Sequence, residues 1–390
     1  MITQERFQHW FSNARKIFEP TSNNECNATL AEYRKAYAST SNHVDNNLGL
    51  YSSPTYATCR EHVSCILDNT SEYSKATLST GTALLGLMPL VLVALAPTTT
   101  ELALVGMYRP GLGLILSAAS PAVIVDRVFS WQDPGELLKL DHTAGDVRNP
   151  LIMNKRGKRA SLVLGIIQYL LALGAVGNTA FLVIELSLNG VLNWGCTMTW
   201  PLYVWISLPV MFHIMACVGY YLTLDHSRNP DSTAYLQVST CLPSIASASS
   251  LEPPVQTGDS GKRRPQSKRA GYEVREVGTS IASQTKSWGE RLRLEFTSTV
   301  GQLNAHYPSR NWKAHNTEVR IGLLLCNLSG FLSFFHLIFA IISFSGLLFV
   351  TAIDAISDIG MRLALSALVS RLIVLVELGG LRGGLHKAEQ

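Results

Sequence analysis

Apolar positions in this chain fall into long blocks with almost no charge, and the charge gathers in the segments between them. Four blocks, 76–96, 161–184, 202–224 and 321–350, reach the ~20 mostly apolar residues that a helix needs to cross a bilayer. The last of these has no Asp, Glu, Lys or Arg across 30 positions. At ~1.5 Å of rise per residue it exceeds the hydrocarbon core, so it is predicted to tilt, to kink near Gly330 or to protrude. Two further blocks are ambiguous. The 112–125 block is short, follows Arg109-Pro110-Gly111 and is interrupted by Pro121; it fits a re-entrant helix as well as a span. The 359–378 block is long enough to span but contains Arg362, Arg371 and Glu377. It is expected to cross and shield those charges inside a helix bundle, the alternative being a helix at the interface.

A soluble domain buries one or two such runs, so four in one chain exclude the soluble reading. The expected fold is all-α: a polytopic transmembrane helix protein of five or six membrane helices with a disordered cytosolic loop. In sequence order this gives a tail (1–75), a first membrane helix plus a short second or re-entrant helix (76–126), a basic cytosolic loop (127–160), a two-helix membrane hairpin (161–224), a cytosolic loop (225–318), C-terminal membrane helices (319–380) and a short cytosolic tail (381–390).

The first twenty residues differ in pattern from all of these. Phe7, Trp10, Phe11, Ala14, Ile17 and Phe18 recur at helical spacing among charges, without the apolar core of a secretory signal. That spacing suits a helix lying on a membrane surface and equally a soluble helix with one buried face.

Composition strengthens the membrane reading. Hydrophobic residues make up 47% of the 390 and charged residues 15%. A net charge of +4 gives no reason to expect a nucleic-acid partner. Charge placement also orients the spans. Lys155, Arg156, Lys158 and Arg159 precede the 161–184 block, whereas 187–200 has no Lys or Arg. Basic loops stay in the cytosol, so 187–200 is expected outside and 225–318, with its 12 basic residues, inside.

The side of the tail hangs on the 112–125 block: if that block crosses, the tail is cytosolic, and if it is re-entrant the tail is extracytoplasmic, which is the expected placement. The tail is near neutral, with seven basic and eight acidic residues, and Lys75 at the edge of the first span mildly opposes an outside placement. Asn27 and Asn69 are acceptor-type sequons in it. Cys26, Cys59 and Cys65 in the tail and Cys196 in the 187–200 loop would then share one oxidising side, enough for two disulfides. The plain alternative is chance sequons and free thiols.

Within 225–318, the stretch 231–285 has no apolar period and too few apolar groups to offset its ordering entropy. Lys262, Arg263, Arg264, Lys268 and Arg269 form a basic cluster able to rest on anionic lipid headgroups, or simply to hold the loop in the cytosol. The stretch 287–304 alternates apolar and charged positions and is expected to form a short surface element.

Ionisable groups inside spans are the natural site candidates. Asn178 and Glu185 share a helix face, His213 is mid-span, and Ser329, His336 and Ser343 follow a seven-residue stripe. Along the last helix Asp354, Asp358, Arg362, Ser366 and Ser370 advance by four, with Glu377 close in angle. Asp358 and Arg362 form an acid-before-base pair, and Arg371 needs a carboxylate from another helix, for which Glu185 is a candidate. This stripe reads either as a path for an ion or small solute or as a polar seam between helices. No phosphate-binding loop, dinucleotide fingerprint, zinc-protease motif or paired Cys-x-x-Cys occurs. No cofactor, metal site or catalytic residue is therefore expected.

"CILDNTSEYSKA" from Cys65, "LLGLMPLVL" from Leu84, "SPAV" from Ser120 and "LVSRLIVLVELGGLR" from Leu368 resemble a family of uncharacterised multi-spanning membrane proteins of filamentous fungi. The resemblance implies a membrane location and a fungal source, and no activity or site residue. The function expected from the sequence is a membrane interaction or sensing component in the plasma membrane or the secretory pathway, with an unknown protein partner. The alternative is a channel or transporter for a small solute along the last helix.

Overall fold

Five helical stretches in the computed structural model are long and apolar enough to cross a membrane: Glu72–Leu95, Ala160–Asn189, Trp200–Thr223, Arg320–Ser345 and Ala352–Leu381. The structure describes residues 5–41, 54–120, 158–223, 293, 295–299 and 317–388, all within one compact unit. The basic loop at 127–157, the 231–285 stretch with its Lys262–Arg269 cluster, and 121–125 of the ambiguous block lie outside the described residues.

The chain begins with three helices, α1 (Ser12–Pro20), α2 (Asn27–Ser41) and α3 (Pro54–Asp68), here called the cap. The first membrane helix, α4 (Glu72–Leu95), starts before its apolar block because the Ser71 hydroxyl accepts from the Ser74 amide and Glu72 stands in the first turn. Two ten-residue helices follow, α5 (Thr99–Tyr108) and α6 (Pro110–Ala119). Thr98 and Glu101 form a reciprocal capping box on α5, and Pro110 opens α6 where its missing amide costs nothing. Ten residues rise only ~15 Å, half of a bilayer core. Accordingly α6 ends inside the bundle, its Ala119 carbonyl accepting from Thr179 of α7 (Lys158–Asn189).

A two-residue strand β1 (Val191–Leu192) leads to α8 (Trp200–Thr223), and α9 (Thr317–Ser345) leads to β2 (Leu347–Leu348). The strands pair antiparallel, Val191 with Leu348 and Leu192 with Leu347, and so tie the ends of α7 and α9 together. The 321–350 block is therefore not one long tilted span. Its helix stops at Ser345, and the last apolar residues turn aside into the ladder, which satisfies their backbone groups without more membrane depth. The chain closes with a three-residue turn α10 (Ala352–Asp354), a π-helical turn (Ala355–Gly360) and α11 (Met361–Ala388).

Small residues set the helix spacing. A Cβ on Gly219 of α8 would meet the Gly322 carbonyl of α9 at 2.9 Å, and one on Gly322 would meet that of Gly219 at 2.7 Å. Lipid supplies no hydrophobic force between helices, so such close backbone approach is what holds them.

The first-twenty pattern resolves to the buried-face alternative. Phe7, Phe11, Ala14 and Phe18 are buried with Leu30, Tyr33 and Ile66 in one core, against Phe349 beyond β2.

Candidate functional site

The last membrane helix ends in a buried carboxylate at each side of the bundle. Asp354 at one end and Glu377 at the other are both fully buried. They are 23 residues apart, ~35 Å of helix rise.

Asp354 serves the cap. The N-terminus of α1 begins at Phe11, which has no capping side chain of its own. Asp354 supplies the missing acceptor from across the chain, taking the amides of Asn13 (3.2 Å) and Ala14 (3.1 Å) and the Asn13 side-chain amide (2.8 Å). A carboxylate there also meets the positive end of the helix dipole. The Thr351 hydroxyl donates to the same carboxylate at 2.8 Å and accepts from the Asp354 amide.

The cap returns a helix cap to the bundle. Arg6 is buried and donates to the carbonyls of Ser187, Gly190 (3.0 Å) and Met198 (2.8 Å). Ser187 and Gly190 are the open carbonyl end of α7, where a cation is favoured. Burial pulls the Arg6 guanidinium below its ordinary value. Phe7 and Phe349, both with positive φ (67° and 62°), meet beside this contact with ring centroids 6.3 Å apart. Left-handed backbone at a bulky residue persists only where packing enforces it.

Disulfides complete the joint. Cys26 bonds Cys65 inside the cap, and Cys59 bonds Cys196 in the α7–α8 connection. Both sequon asparagines are exposed, and the Asn69 side chain donates to the Cys65 carbonyl at 3.0 Å. His62 is buried between two hydroxyls, Ser22 on Nε2 (3.0 Å) and Thr29 on Nδ1 (2.9 Å). With the Thr29 hydroxyl donating to the Cys26 carbonyl at 2.9 Å, the His62 Nδ1–H donates to Thr29. Burial, with Arg34 nearby, pushes the His62 value down to about 4.

Glu377 serves the far end. Its carboxylate accepts from Arg109 (2.8 Å), the Ser298 hydroxyl (2.6 Å) and the Thr299 amide (3.1 Å). Arg109 reaches further to the Gln168 side chain (2.6 Å) and the Glu295 carbonyl (2.7 Å). The Glu295 carboxylate takes the Leu112 amide near the start of α6 and the Tyr169 hydroxyl. Gly165 makes room for this, since a Cβ there would lie 2.0 Å from the Phe296 carbonyl. The described part of 287–304 is a surface element only in its first half: Arg293 and Phe296 are exposed, whereas Ser298 and Thr299 are buried as hydrogen-bond partners of Glu377.

Two sequence-level pairings are corrected. Arg371 pairs with Glu101 of α5, not with Glu185. Glu185 instead receives Arg362 at 2.7 Å, and Asn178 accepts from the same guanidinium at 3.1 Å. Asp358 and Arg362 do not pair. The Arg362 guanidinium is turned toward the neighbouring helix instead, onto Glu185 and Asn178. His336 bonds the Trp205 carbonyl (2.9 Å) and Ser329 the Phe212 carbonyl (2.9 Å), both between α8 and α9. His213 faces Cys217, with Nε2 and Sγ 3.4 Å apart. Among the described residues, no group of His, Cys, Asp and Glu is arranged to hold a metal.

Sequence reasoning missed Arg6, Glu101, Arg109 and Glu295. Glu101 carried a readable signal, the Thr-x-x-Glu capping box, and Arg109 stood conspicuously between two apolar blocks. Arg6 and Glu295 lay among ordinary charged neighbours and showed none.

No protein-family model matches the chain, and no curated protein or solved structure matches it either. What it does must be argued from this geometry.

Proposed function

We propose that this integral membrane protein is a sensing or interaction component whose cap receives a partner and whose last helix links the cap to the opposite end of the bundle. One observation carries the reading: a single helix grips the cap through Asp354 and the 295–299 segment through Glu377. In the sequence that segment follows the 225–286 stretch, which lies outside the described residues.

The cap shares its end of the bundle with the 187–200 loop, to which Cys59 is bonded. The absence of Lys and Arg from that loop supports an extracytoplasmic cap in the plasma membrane or a secretory membrane. Glycan at Asn27, released by glycosidase and absent in Asn27→Gln, is the expected result; an unmodified Asn27 beside a modified engineered sequon in 187–200 contradicts this placement. The motifs shared with the fungal family are compatible with the membrane location and assign no activity.

A conduit along the last helix has less support. Arg362, Arg371 and Glu377 each engage an opposite charge on a neighbouring helix, which describes a seam.

Coupling is tested by hydrogen exchange on the full chain. Asp354→Ala is expected to raise exchange at α1 and also at 295–299. Exchange that rises only in the cap means the two ends are independent and removes the sensing mechanism.

A further inference from the structure

We propose a binding site for the headgroup of a zwitterionic phospholipid on the membrane-facing surface between α7 and α11, formed by Arg362, Asp358, Glu185 and Phe181. It is independent of the cap-to-bundle coupling.

The surface faces lipid. Phe181, Ile184, Ile356 and Met361 are large, apolar and half or more exposed or nearly so, at 60%, 46%, 52% and 64%. On helices of spanning length such exposure means contact with acyl chains. Charged groups on the same face are costly unless something polar covers them. Yet Arg362 and Glu185 stand there partly open, at 27% and 30%.

Depth fits a headgroup. Glu185 lies four residues before the end of α7 at Asn189, ~6 Å of rise. Asp358 lies six residues beyond the start of α10 at Ala352, ~9 Å into the same leaflet. Long side chains at this level reach the interface.

The charges select the ligand. The Arg362 Nε and Nη1 are taken by Asn178 and Glu185, and its plane lies over Phe181 at 5.2 Å. Nη2 has no partner among the described residues, which leaves a planar donor edge of the kind that suits phosphate. Asp358 has the neighbouring Ser357 hydroxyl at 3.3 Å and no cation in ion-pair contact among the described residues. The π-helical turn presents Asp358 here, and such bulges recur at functional sites. An ammonium beside Asp358 and a phosphate on Nη2 complete the set. A net-anionic headgroup meets surplus carboxylate, and a simple cation leaves the arginine edge empty. Ethanolamine and choline headgroups share the required chemistry.

The experiment uses the full chain in nanodiscs containing phosphatidylethanolamine, phosphatidylcholine and phosphatidylglycerol in equal amounts, with the retained lipid read by native mass spectrometry. The wild type is expected to retain one or both zwitterionic lipids about tenfold over phosphatidylglycerol, worth one decade of affinity. The ratio of the two zwitterionic lipids tells ethanolamine from choline. Asp358→Asn, which leaves the Arg362–Glu185 pair intact, is expected to abolish the preference, and Asp358→Glu to restore it. No headgroup preference in the wild type, preference for phosphatidylglycerol, or an unchanged preference in folded Asp358→Asn overturns the proposal. The wild-type arm stands even if a variant does not fold.

Discussion

In the cap, Phe11, Phe18, Leu30 and Tyr33 are buried against one another; in the bundle, Phe181, Leu170 and Leu324 stand outward while Arg109, Glu377, His213 and Ser333 are inside. The same residue types are sorted in opposite directions because the two regions have different solvents. Water drives the cap's apolar groups together at ~25 cal/mol per Å² removed from it. Lipid gives the bundle no such gain, so its helices meet through glycine contacts, hydroxyl-to-carbonyl bonds and ion pairs. The two regions then exchange helix caps, Arg6 going one way and Asp354 the other.

The comparison breaks most sharply at Glu377. Removing one partner of a fully buried pair leaves an uncompensated charge, so Glu377→Ala is expected to destabilise by ~3–5 kcal/mol in denaturant unfolding of the detergent-solubilised protein. Arg109→Met with Glu377→Leu should recover much of that loss; if the double variant is as unstable as the single one, the pair is not what holds the far end.

One substitution made in both regions sharpens it further. Leu30→Ala in the cap is expected to cost ~2–5 kcal/mol, because it empties a packed core. Leu324→Ala in the bundle, 62% exposed, should stay within ~0.5 kcal/mol. Equal costs would mean that Leu324 faces protein in solution.

A pH titration separates the regions next. The folded value of His62, about 4, lies below its ordinary 6.5, so protonation favours the unfolded cap. Its contribution is fully present above pH 6.5 and is lost as pH falls from 6.5 toward 4. The expected outcome is that protease resistance of the cap falls through that window, and that His62→Gln flattens the fall.

A far smaller effect than at Glu377 is expected at Arg362. Its pair with Glu185 is partly exposed, so Arg362→Ala should cost ~1 kcal/mol or less in the same unfolding measurement. A loss as large as that of Glu377→Ala would show the site to be shielded rather than lipid-facing.

Much of this architecture could be read in the residues. Four uncharged blocks announced four spans, since only a helix satisfies its backbone inside a hydrocarbon core. The polar stripe of the last helix was visible as residues advancing by four. Its partners were not: Arg371 reaches Glu101, 270 positions away in the chain. Arg362 likewise turns to Glu185 and Asn178 on another helix, 177 and 184 positions away, which a count along its own helix does not reveal.

Solvent preference and helix length are properties of each segment alone, and those the sequence determined: which stretches cross a membrane, and that 112–125 was too short to be a sure span. Pairing is a property of two segments, and that only the tertiary structure decided. It chose Cys59 for Cys196, Asp354 for the start of α1 and Glu377 for Arg109, because these contacts depend on which helix faces which, and one chain's pattern of polar and apolar positions leaves that choice open.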